Sequence, residues 1–468
     1  MVMTTATATS TPGKTIQTVN PATGEQIATY GLYDPEKALA AVKKASEVFE
    51  SKWSKTPIGE REHYLKKLAS ALRSKKSDYA KIMTLEMGKP ITQALAEVEK
   101  CAWAAEFYAE NADEWLREEF SQTDAKISYV RFDPLGVVLS IMPWNFPFWQ
   151  ALRFAIPAIV AGNTSVLRHS NVCPGSALAI EEAFRNAGFP DGVFSTVITD
   201  HSTVTKLIES PYVAGVSLTG STEAGRSVGE TAARNFKKFV LELGGSDPFI
   251  VLDDAKIEQA AKIGAAARLQ NSGQSCICAK RFIVVRSAAN EFVERFVREF
   301  EKKKLGNPIE PTTDVGPLVN MPAVEGIDLQ VKDALSKGAK KEIGGSPRSP
   351  GSFFEPTILG NVSKNMMVMY EEVFGPVAPV YVVGNEEEAI RTANESEFGL
   401  GASLWTSDLD RAKRLAGEIQ SGIVFVNEMT KSDPRMPFGG VKKSGIGREL
   451  SKYGLKEFVN IKSVNIYG

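Results

Sequence analysis

Apolar residues recur every three or four positions through the first third of the chain, which is typical of amphipathic helices. Asp34 and Pro35 precede the first such run, and they predict an N-cap and a first helical residue. The same spacing predicts helices over about 60–87 and over about 91–118. This part of the chain is therefore expected to be largely helical.

After this point the hydrophobic period changes to that of strands, with alternating side chains over 127–132. From residue 136 onward, short β-branched runs alternate with helical segments, which predicts two α/β domains, the first a doubly wound parallel sheet. A last strand, 458–467, is left without a neighbour and needs a partner, for example from another subunit. The other predicted strands cover 137–141, 164–167, 193–198, 213–218, 248–252, 282–285, 377–382, 402–406 and 423–427.

The charge balance of the chain argues against two classes of partner. The 468 residues include 55 Lys and Arg against 56 Asp and Glu, a formal net charge of -1. Without a basic surplus, neither nucleic acid nor an anionic membrane is expected as the main partner. The most apolar stretch, 135–162, is interrupted by Arg153 and several prolines, so it is not expected to span a membrane.

Cysteine and histidine are scarce. Four cysteines in a chain of this length do not form a disulfide framework, which favours a reducing compartment, and we expect the cytoplasm. Three separated histidines give no zinc pattern, so no metal site is expected. Residues 1–14 are rich in Thr, Ala and Ser without an apolar core, and they predict a disordered tail rather than a targeting signal.

A loop of small residues presents one cysteine after a predicted helix. Residues 271–278 read Asn-Ser-Gly-Gln-Ser-Cys-Ile-Cys and follow the Ala-rich run 260–269. Such a loop leaves the Cys276 thiol accessible and its backbone N–H free to bind an oxyanion. A single cysteine is more often a buried structural residue, so this loop alone assigns no function.

Two further segments place polar side chains where they interrupt an apolar pattern. Glu242 ends an apolar strand, where a buried carboxylate has a raised pKa and works as a general base near neutral pH. Asn145 lies between aromatic residues in the Pro-Trp-Asn-Phe-Pro segment 143–147, so its amide is a candidate for a rigidly held donor. Taken singly, Glu242 is equally well explained as a solvated glutamate at a strand end, and Asn145 is better explained as part of a proline-rich turn.

Together these segments resemble the aldehyde dehydrogenase superfamily over nearly the whole chain. The resemblance also rests on Asn-Pro-Ala-Thr-Gly-Glu at 20–25 and Glu-Leu-Gly-Gly at 242–245. Two later motifs extend it, Glu-Glu-Val-Phe-Gly-Pro at 371–376 and Gly-Gly-Val-Lys-Lys-Ser-Gly at 439–445. No single motif decides the matter, but several in the right order are not expected by chance.

The resemblance implies an α/β fold with two doubly wound Rossmann-like domains and a small β oligomerisation element. It places a dinucleotide-binding domain at 15–120 and 136–242, and a catalytic domain at 243–428. The oligomerisation element would consist of 121–135 and 429–468. The resemblance also implies a homodimer or a homotetramer.

The resemblance further implies a covalent mechanism for the oxidation of a small aldehyde with NAD or NADP. Cys276 would attack the aldehyde carbon as a thiolate and form a thiohemiacetal. The amide of Asn145 and the N–H of Cys276 would stabilise its oxyanion, and oxidation would leave a thioester. Glu242 would then activate water to release the acid.

A glycine-containing segment opens a predicted helix, where phosphate binds well. Residues 220–227, Gly-Ser-Thr-Glu-Ala-Gly-Arg-Ser, differ from a phosphate-binding loop at Arg226, where that motif requires Lys. A nucleotide hydrolase is therefore the main alternative from another class. In the resemblance, Ser221 would lie by the pyrophosphate, Glu372 would bind the nicotinamide ribose and Phe374 would pack near the nicotinamide. The implied cofactor-binding residues are Trp144, Arg168, Ser170, Asn171, Gly220, Ser221, Leu243, Glu372 and Phe374.

One departure from the family pattern predicts which cofactor is used. Where many relatives read Lys-Pro-Ser-Glu, this chain reads Arg-His-Ser-Asn at 168–171. The family's glutamate binds the adenosine ribose hydroxyls and disfavours a 2′-phosphate. Asn171 removes that negative charge, while Arg168, together with His169, adds positive charge. We therefore expect NADP to be preferred, with NAD as the possible substitute.

Within the superfamily, the segments 242–249 and 438–445 are most similar to the short form of succinate-semialdehyde dehydrogenase. The carboxylate of a semialdehyde favours an arginine fork. Arg153 matches a carboxylate-binding arginine of longer relatives, and Arg435 is a candidate for their second arginine, because this chain has Gln270 at that position. Glyceraldehyde or another small aldehyde stays open as the substrate, and so does a structural relative without turnover.

Cys278 lies two residues from Cys276, and some relatives carry the same pair. Oxidation that links the two sulfurs would silence the nucleophile reversibly, so the pair is a candidate redox switch. That Cys278 is merely a small residue on the loop is equally open.

Overall fold

The N-terminal segment forms a hairpin and four helices. The structure, a computed structural model, describes residues 14–468, so the predicted tail, residues 1–14, lies outside the described residues except for Lys14. The Asp34 carboxylate accepts a hydrogen bond from the Lys37 N–H at 2.8 Å, which confirms the predicted N-cap. The elements are β1 (Thr15–Val19), β2 (Gln26–Gly31), α1 (Pro35–Ser51), α2 (Ile58–Ser74), α3 (Lys76–Met87) and α4 (Ile91–Leu116).

Strands and helices alternate through the rest of the chain. Up to residue 242 they are β3 (Glu119–Phe120), β4 (Ile127–Pro134), β5 (Val137–Met142), α5 (Pro147–Val160), β6 (Thr164–His169), α6 (Pro174–Asn186), β7 (Phe194–Thr196), α7 (His201–Glu209), β8 (Val213–Thr219), α8 (Thr222–Arg234) and β9 (Lys238–Glu242). The remaining elements are β10 (Pro248–Val251), α9 (Ile257–Leu269), β11 (Arg281–Val285), α10 (Arg286–Glu301), α11 (Met321–Ser336), β12 (Lys340–Ile343), β13 (Pro347–Arg348), β14 (Phe353–Phe354), β15 (Thr357–Gly360), α12 (Met367–Tyr370), β16 (Val377–Val383), α13 (Glu386–Asn394), β17 (Gly401–Trp405), α14 (Leu409–Glu418), β18 (Ile423–Val426), β19 (Gly445–Ile446), α15 (Ser451–Leu455) and β20 (Val459–Ile466). Within residues 14–468, no helix combines the length and apolarity that a membrane crossing needs.

The first large sheet has six strands in the order β19-β9-β8-β5-β6-β7, parallel except for β19. Alternate residues of β5 pack into different cores: Val138 joins the side chains of α2 to α6, and Leu139 joins those of α1, α7 and α8. Helices therefore cover both faces, as predicted. The strand order reverses on either side of β5, and ligands bind outside the carboxyl ends of strands at such a point.

The second large sheet has seven strands in the order β12-β15-β16-β11-β10-β17-β18, parallel except for β12. Its strands include the five predicted for this part of the chain. The loop that carries Cys276 connects α9 to β11. The loop with the cysteine therefore leads into the second sheet, while the expected ligand site lies at the carboxyl ends of the strands of the first sheet.

A third sheet joins the middle of the chain to its end. Strand β20 pairs antiparallel with β4 from Val459 opposite Pro134 to Ile466 opposite Ile127, and β3 completes the sheet. The expectation that the last strand needs a partner from another subunit is therefore wrong, because β4 of the same chain fills that place. The sheet unites the two segments predicted to form the oligomerisation element.

Candidate active site

Two adjoining cavities meet at Cys276. We call them the Lys100 cavity, of about 180 Å³, and the Gly220 cavity, of about 260 Å³, and Cys276 and Gln150 line both. The Gly220 cavity lies at the carboxyl ends of β5 and β8, where the fold predicts a ligand. It brings together the predicted residues Trp144, Asn145, Gly220, Ser221, Leu243, Glu372 and Phe374.

The loop before the cysteine is tied to Asn145. Asn271 and Ser272 have left-handed backbone conformations, with φ of 51° and 57°, which non-glycine residues seldom adopt. The Asn271 amide donates to the Asn145 carbonyl at 2.7 Å, and the Asn145 amide donates to the Gln274 carbonyl at 3.1 Å. These bonds hold the buried Asn145 amide rigidly beside the loop that ends in Cys276.

The Cys276 thiol is protonated at neutral pH in this state. Burial raises its pKa to about 12, although the positive charges of Lys280 and Arg153 oppose that shift. The Lys280 ammonium is buried, and it donates to the Cys276 carbonyl at 2.6 Å and to Glu372 Oε1 at 2.8 Å. A nucleophilic thiolate therefore requires transfer of the thiol proton to a base.

Glu242 is a buried carboxylate without partners. It ends β9, and both of its oxygens lack a hydrogen bond in the described structure. Burial, and then the charge of Glu449, raises its pKa well above the ordinary value. Its Oε1 lies 2.8 Å from where a Cβ on Gly439 would stand, and it lines neither cavity. Such a group readily accepts a proton, but here it is held back from the cleft.

The N-terminus of α8 opens on the Gly220 cavity. Ser221 is the N-cap of this helix, and its hydroxyl accepts from the Ala224 N–H at 3.2 Å. The first N–H groups of a helix have no acceptor within the helix, so they attract phosphate. Across the cavity, the rings of Trp144 and Phe374 meet edge to face, with centroids 5.8 Å apart. The cavity thus offers both an anion site and an aromatic wall.

Three predicted cofactor residues lie apart from the Gly220 cavity. The three residues, Arg168, Ser170 and Asn171, lie at the carboxyl end of β6, the strand beside β5. None of them lines either cavity. Arg168 Nη2 donates to Asn171 Oδ1 at 3.2 Å and to the Thr199 carbonyl at 3.1 Å. The buried Nε of Arg168 has no partner in the described chain. The neighbouring residues therefore position the guanidinium, and its Nε–H is left without an acceptor among the described residues.

His169 does not supply the positive charge that was expected of it. Its Nδ1 accepts from the Ser170 N–H at 2.8 Å, and its Nε2 lies 2.9 Å from the Pro147 carbonyl, which a neutral ring satisfies. Burial lowers its pKa to about 4. At neutral pH the ring is uncharged, so Arg168 alone carries positive charge in this segment.

The two predicted substrate arginines have different surroundings. Arg153 lines the Lys100 cavity, but it forms a buried ion pair with Glu449, and its guanidinium lies 4.3 Å from the Phe438 ring centroid. Arg435 is exposed and pairs with Asp433, and it is not part of the cavity wall. The prediction for Arg435 is therefore wrong, because Asp433 holds its side chain outside the cavity.

The sequence reasoning missed the polar face of α4. Gln93, Glu97 and Lys100 line the Lys100 cavity together with Ser432. The three helical residues stand at spacings of four and three, on one face of a helix otherwise rich in alanine. This spacing was the available signal, because polar residues on an interior helical face need partners.

Cys278 lies in the loop that carries Cys276, and its side chain is buried. Its Sγ lies 3.7 Å from the Gln270 carbonyl, and burial raises its pKa. Both Cys276 and Cys278 are free thiols. The redox switch therefore stays a prediction.

Comparison with known proteins matches this chain to a family over almost its full length. The model of the aldehyde dehydrogenase family matches residues 7–464. A probable succinate-semialdehyde dehydrogenase (NADP+) from Synechocystis is 47% identical over 450 residues, covering 96% of this chain and 99% of the relative. A succinate-semialdehyde dehydrogenase (NADP+) from Mycobacterium avium is 44% identical over 453 residues, covering 96% of each chain.

Solved structures give the same picture. The succinic semialdehyde dehydrogenase from Streptococcus pyogenes, in complex with NADP+, superposes with a TM-score of 0.94 at 39% identity, over 97% of this chain and 100% of that one. The succinate-semialdehyde dehydrogenase from Burkholderia pseudomallei gives a TM-score of 0.95 at 36% identity, over 97% and 95%. The similarity therefore extends across both large sheets and the third one.

Proposed function

Because the chain belongs to the aldehyde dehydrogenase family, we propose that it oxidises succinic semialdehyde to succinate with NADP as the electron acceptor. Relatives named for this reaction cover 96% of the chain at 44% and 47% identity. Another small aldehyde, such as glyceraldehyde, is the alternative substrate. Family membership removes the phosphate-loop hydrolase as an alternative.

The position of Cys276 at the junction of the two cavities carries the proposal. A nucleophile there faces an aldehyde in the Lys100 cavity and a cofactor in the Gly220 cavity. Its sulfur attacks the carbonyl carbon, a carbon–sulfur bond forms, and the carbonyl oxygen becomes an oxyanion. Because burial raises the pKa of the thiol to about 12, the thiol proton must leave to a base as the bond forms.

Asn145 is the side-chain donor to this oxyanion. One N–H of its amide is held by the Gln274 carbonyl, and the other is free to donate. The backbone N–H of Cys276 is the second donor. A donor fixed before the reaction needs no reorganisation as charge develops, and one such donor contributes about 2.7–4 kcal/mol to transition-state stabilisation.

Glu242 is the base that activates water against the thioester. Burial raises its pKa well above the ordinary value, and a raised pKa makes the carboxylate a stronger base toward water. Its carboxylate now stands against Gly439, so in this role its side chain turns toward Cys276. Because neither oxygen has a hydrogen bond in the described structure, no such bond has to break for that rotation.

The Gly220 cavity fits a nicotinamide dinucleotide. The N-terminus of α8 at Ser221 suits the pyrophosphate, Glu372 suits the ribose hydroxyls, and Phe374 with Trp144 forms an aromatic wall. Gly220 and Leu243 also line this cavity. Bound there, the cofactor would supply the electron acceptor that turns the thiohemiacetal into a thioester.

The residues after β6 favour NADP over NAD. The chain has Asn171 where a carboxylate would repel a 2′-phosphate, and Arg168 lies 3.2 Å from it with a buried, unpartnered Nε. Ser170 offers a hydroxyl beside them. An arginine with a free donor suits phosphate recognition.

The deciding experiment measures NADPH formation with succinic semialdehyde, butanal and glyceraldehyde, each with NADP and with NAD. We expect the highest kcat/KM for succinic semialdehyde with NADP. Equal values for succinic semialdehyde and butanal contradict a carboxylated substrate, and a higher value with NAD contradicts the cofactor assignment. Mass spectrometry of Glu242→Gln, quenched during turnover, should place the acyl adduct on Cys276. An adduct elsewhere contradicts the mechanism.

The third sheet is the proposed assembly surface. It exposes Phe120, Ile461 and Ile466, large apolar side chains that a second copy would cover. We propose a homodimer or homotetramer in the cytoplasm, with a small-molecule substrate and without nucleic acid or membrane as partner. Light scattering of the purified protein and cell fractionation test these two points, and a monomer or a membrane fraction contradicts them.

A further inference from the structure

Lys100 places an ammonium group in the wall of the Lys100 cavity. It belongs to α4, and its Nζ donates to the Ser432 hydroxyl at 2.7 Å. Nζ also lies 4.2 Å from the centroid of the Trp149 ring. Among residues 14–468, no carboxylate lies within 4.0 Å of Nζ. The group is thus held by a neutral hydroxyl and an aromatic face.

The other cations near this cavity already have anions. Arg153 is paired with Glu449, and Lys431, which is exposed, is paired with Glu428 at 3.3 Å. Removing an ammonium from water is costly unless an anion compensates for the lost hydration. Among the described cations that line this cavity, Lys100 is therefore the one without a carboxylate in contact with it.

The Ser432 hydroxyl beside Lys100 supports the same conclusion. The Ser432 oxygen accepts from both Lys100 Nζ and Trp149 Nε1, the latter at 2.9 Å. Two accepted bonds fix this oxygen, and through it they fix the ammonium on the cavity wall. Because Cys276 lines the same cavity, an aldehyde at the sulfur extends its far end into the space that Lys100 borders.

We propose that Lys100 is a specificity-determining residue that binds the carboxylate of the aldehyde substrate in the Lys100 cavity. The proposal rests on the proposed function, and it assigns to α4 the charge recognition that Arg435 does not provide. Arg153 lines the same cavity in an ion pair with Glu449, and its predicted part in substrate binding stays a prediction. Lys100 confers preference for carboxylated aldehydes over neutral ones of similar size.

The charged surroundings of Lys100 make this preference depend on pH. Burial, and then the charge of Arg153 on α5, lowers the pKa of Lys100 to about 8, while Glu97 and Cys101 on α4 and Asp433 beside Ser432 oppose the shift. The ammonium therefore loses its proton as the pH rises through about 8. A substrate carboxylate stabilises the charged form, so KM for a carboxylated aldehyde should rise above that pH.

The test compares Lys100→Met with wild type, using succinic semialdehyde and butanal with NADP. We expect the ratio of the two kcat/KM values to fall by about tenfold or more, through KM for succinic semialdehyde, because a hydrogen bond to a charged group is lost. Lys100→Arg should retain most of the ratio. Lys431→Met is the matched control, since that lysine borders the same cavity with its own anion, and its ratio should fall by less than about threefold.

The outcomes separate this inference from the proposed function. If wild type prefers succinic semialdehyde and Lys100→Met keeps that preference, the role of Lys100 is wrong while the function stands. If wild type shows no preference for succinic semialdehyde, the proposed function itself fails. Should Lys100→Met not fold, the pH dependence of wild type decides. A KM for succinic semialdehyde that rises above pH 8, while that for butanal stays flat, supports the inference, and parallel profiles contradict it.

Discussion

Lys280 Nζ lies 2.8 Å from Glu372 Oε1, and this contact joins the end of the Cys276 loop, just before β11, to the segment that precedes β16. The same ammonium donates to the Cys276 carbonyl at 2.6 Å. A single buried cation therefore sets the position of the nucleophile's backbone and of the carboxylate proposed to hold the cofactor's ribose. A charge shared in this way couples the two sides of the reaction centre.

Replacing this cation should affect both sides together. Lys280→Met removes a charge that lowers the pKa of the Cys276 thiol, so alkylation of the thiol by iodoacetamide at pH 8 should slow. The same change leaves Glu372 without its partner, and KM for NADP should rise by about tenfold. Lys413→Met, an exposed lysine on α14, is the control. A change in only one of the two measurements contradicts the coupling.

Removal of the Asn145 amide should slow the chemical step. We expect Asn145→Ala to lower kcat by about 10²–10³ with little change in KM for the aldehyde, because an oxyanion donor acts in the transition state. Asn111→Ala, which removes an amide from the surface of α4, should leave kcat unchanged. A loss in kcat of less than about tenfold would show that another group stabilises the oxyanion.

The buried Glu242 carboxyl should make stability depend on pH in a defined direction. Its pKa is raised in the folded state, so the unfolded chain releases this proton first as the pH rises above about 4.3. Wild type therefore loses stability between that pH and the raised pKa, whereas Gln cannot ionise. The Tm of Glu242→Gln minus that of wild type should grow from pH 4.5 to pH 7.5 in differential scanning calorimetry.

Glu60→Gln, at an exposed position in the first turn of α2, serves as the control for that comparison. Its Tm difference from wild type should stay nearly constant over the same pH range. A difference for Glu242→Gln that shrinks with pH contradicts the assigned direction of the shift.

A carboxylate at position 171 should reverse the cofactor preference. In Asn171→Glu, the new charge would lie near Arg168, whose Nη2 is 3.2 Å from the present amide oxygen, and it would repel a 2′-phosphate. We expect the ratio of kcat/KM for NADP over NAD to fall by about tenfold or more. Asn171→Gln keeps a neutral amide and should keep the preference. An unchanged ratio in Asn171→Glu places the 2′-phosphate elsewhere.

The cysteine pair predicts a difference in recovery from oxidation. Mild peroxide should inactivate wild type, and dithiothreitol should restore it if Cys276 and Cys278 become linked. Cys278→Ala should then recover poorly, because an unlinked sulfur oxidises further. Cys101→Ala, a buried cysteine on α4, should behave like wild type. Equal recovery of Cys278→Ala and wild type would show that there is no switch.

Local patterns were sufficient to predict most strands of the two large sheets and the nucleophile loop. The N-cap at Asp34 depends on neighbouring residues alone, and the strands of β5 and β8 appear as apolar runs because both faces are covered. Cys276, Asn145 and Glu242 were found because each interrupts such a pattern near an element's end. That Asn145 and Cys276 line one cavity agrees with the family resemblance, whereas Glu242 lines neither cavity.

Local sequence patterns could not predict contacts between residues that lie far apart in the sequence. Nothing near Arg153 indicates that Glu449 neutralises it, and nothing near Arg435 indicates that the cavity lies elsewhere. The charge of His169 likewise depended on burial and on the Pro147 carbonyl. Lys100 was missed because only the folded chain brings α4 against the Cys276 loop, where the Asn271 N–H donates to Gln93 Oε1 at 2.8 Å.

The pairing of β20 with β4, and of β19 with β9, dictates when the protein becomes competent during its synthesis. Strands from the middle of the chain must wait for partners near its end, as must Arg153 for Glu449. Domains fold as the ribosome releases them, but this reaction centre closes only once residues 445–466 have been synthesised. A product that stops before residue 445 would therefore emerge without β19 and β20 and with an uncompensated arginine, and would be a substrate for quality control rather than an enzyme.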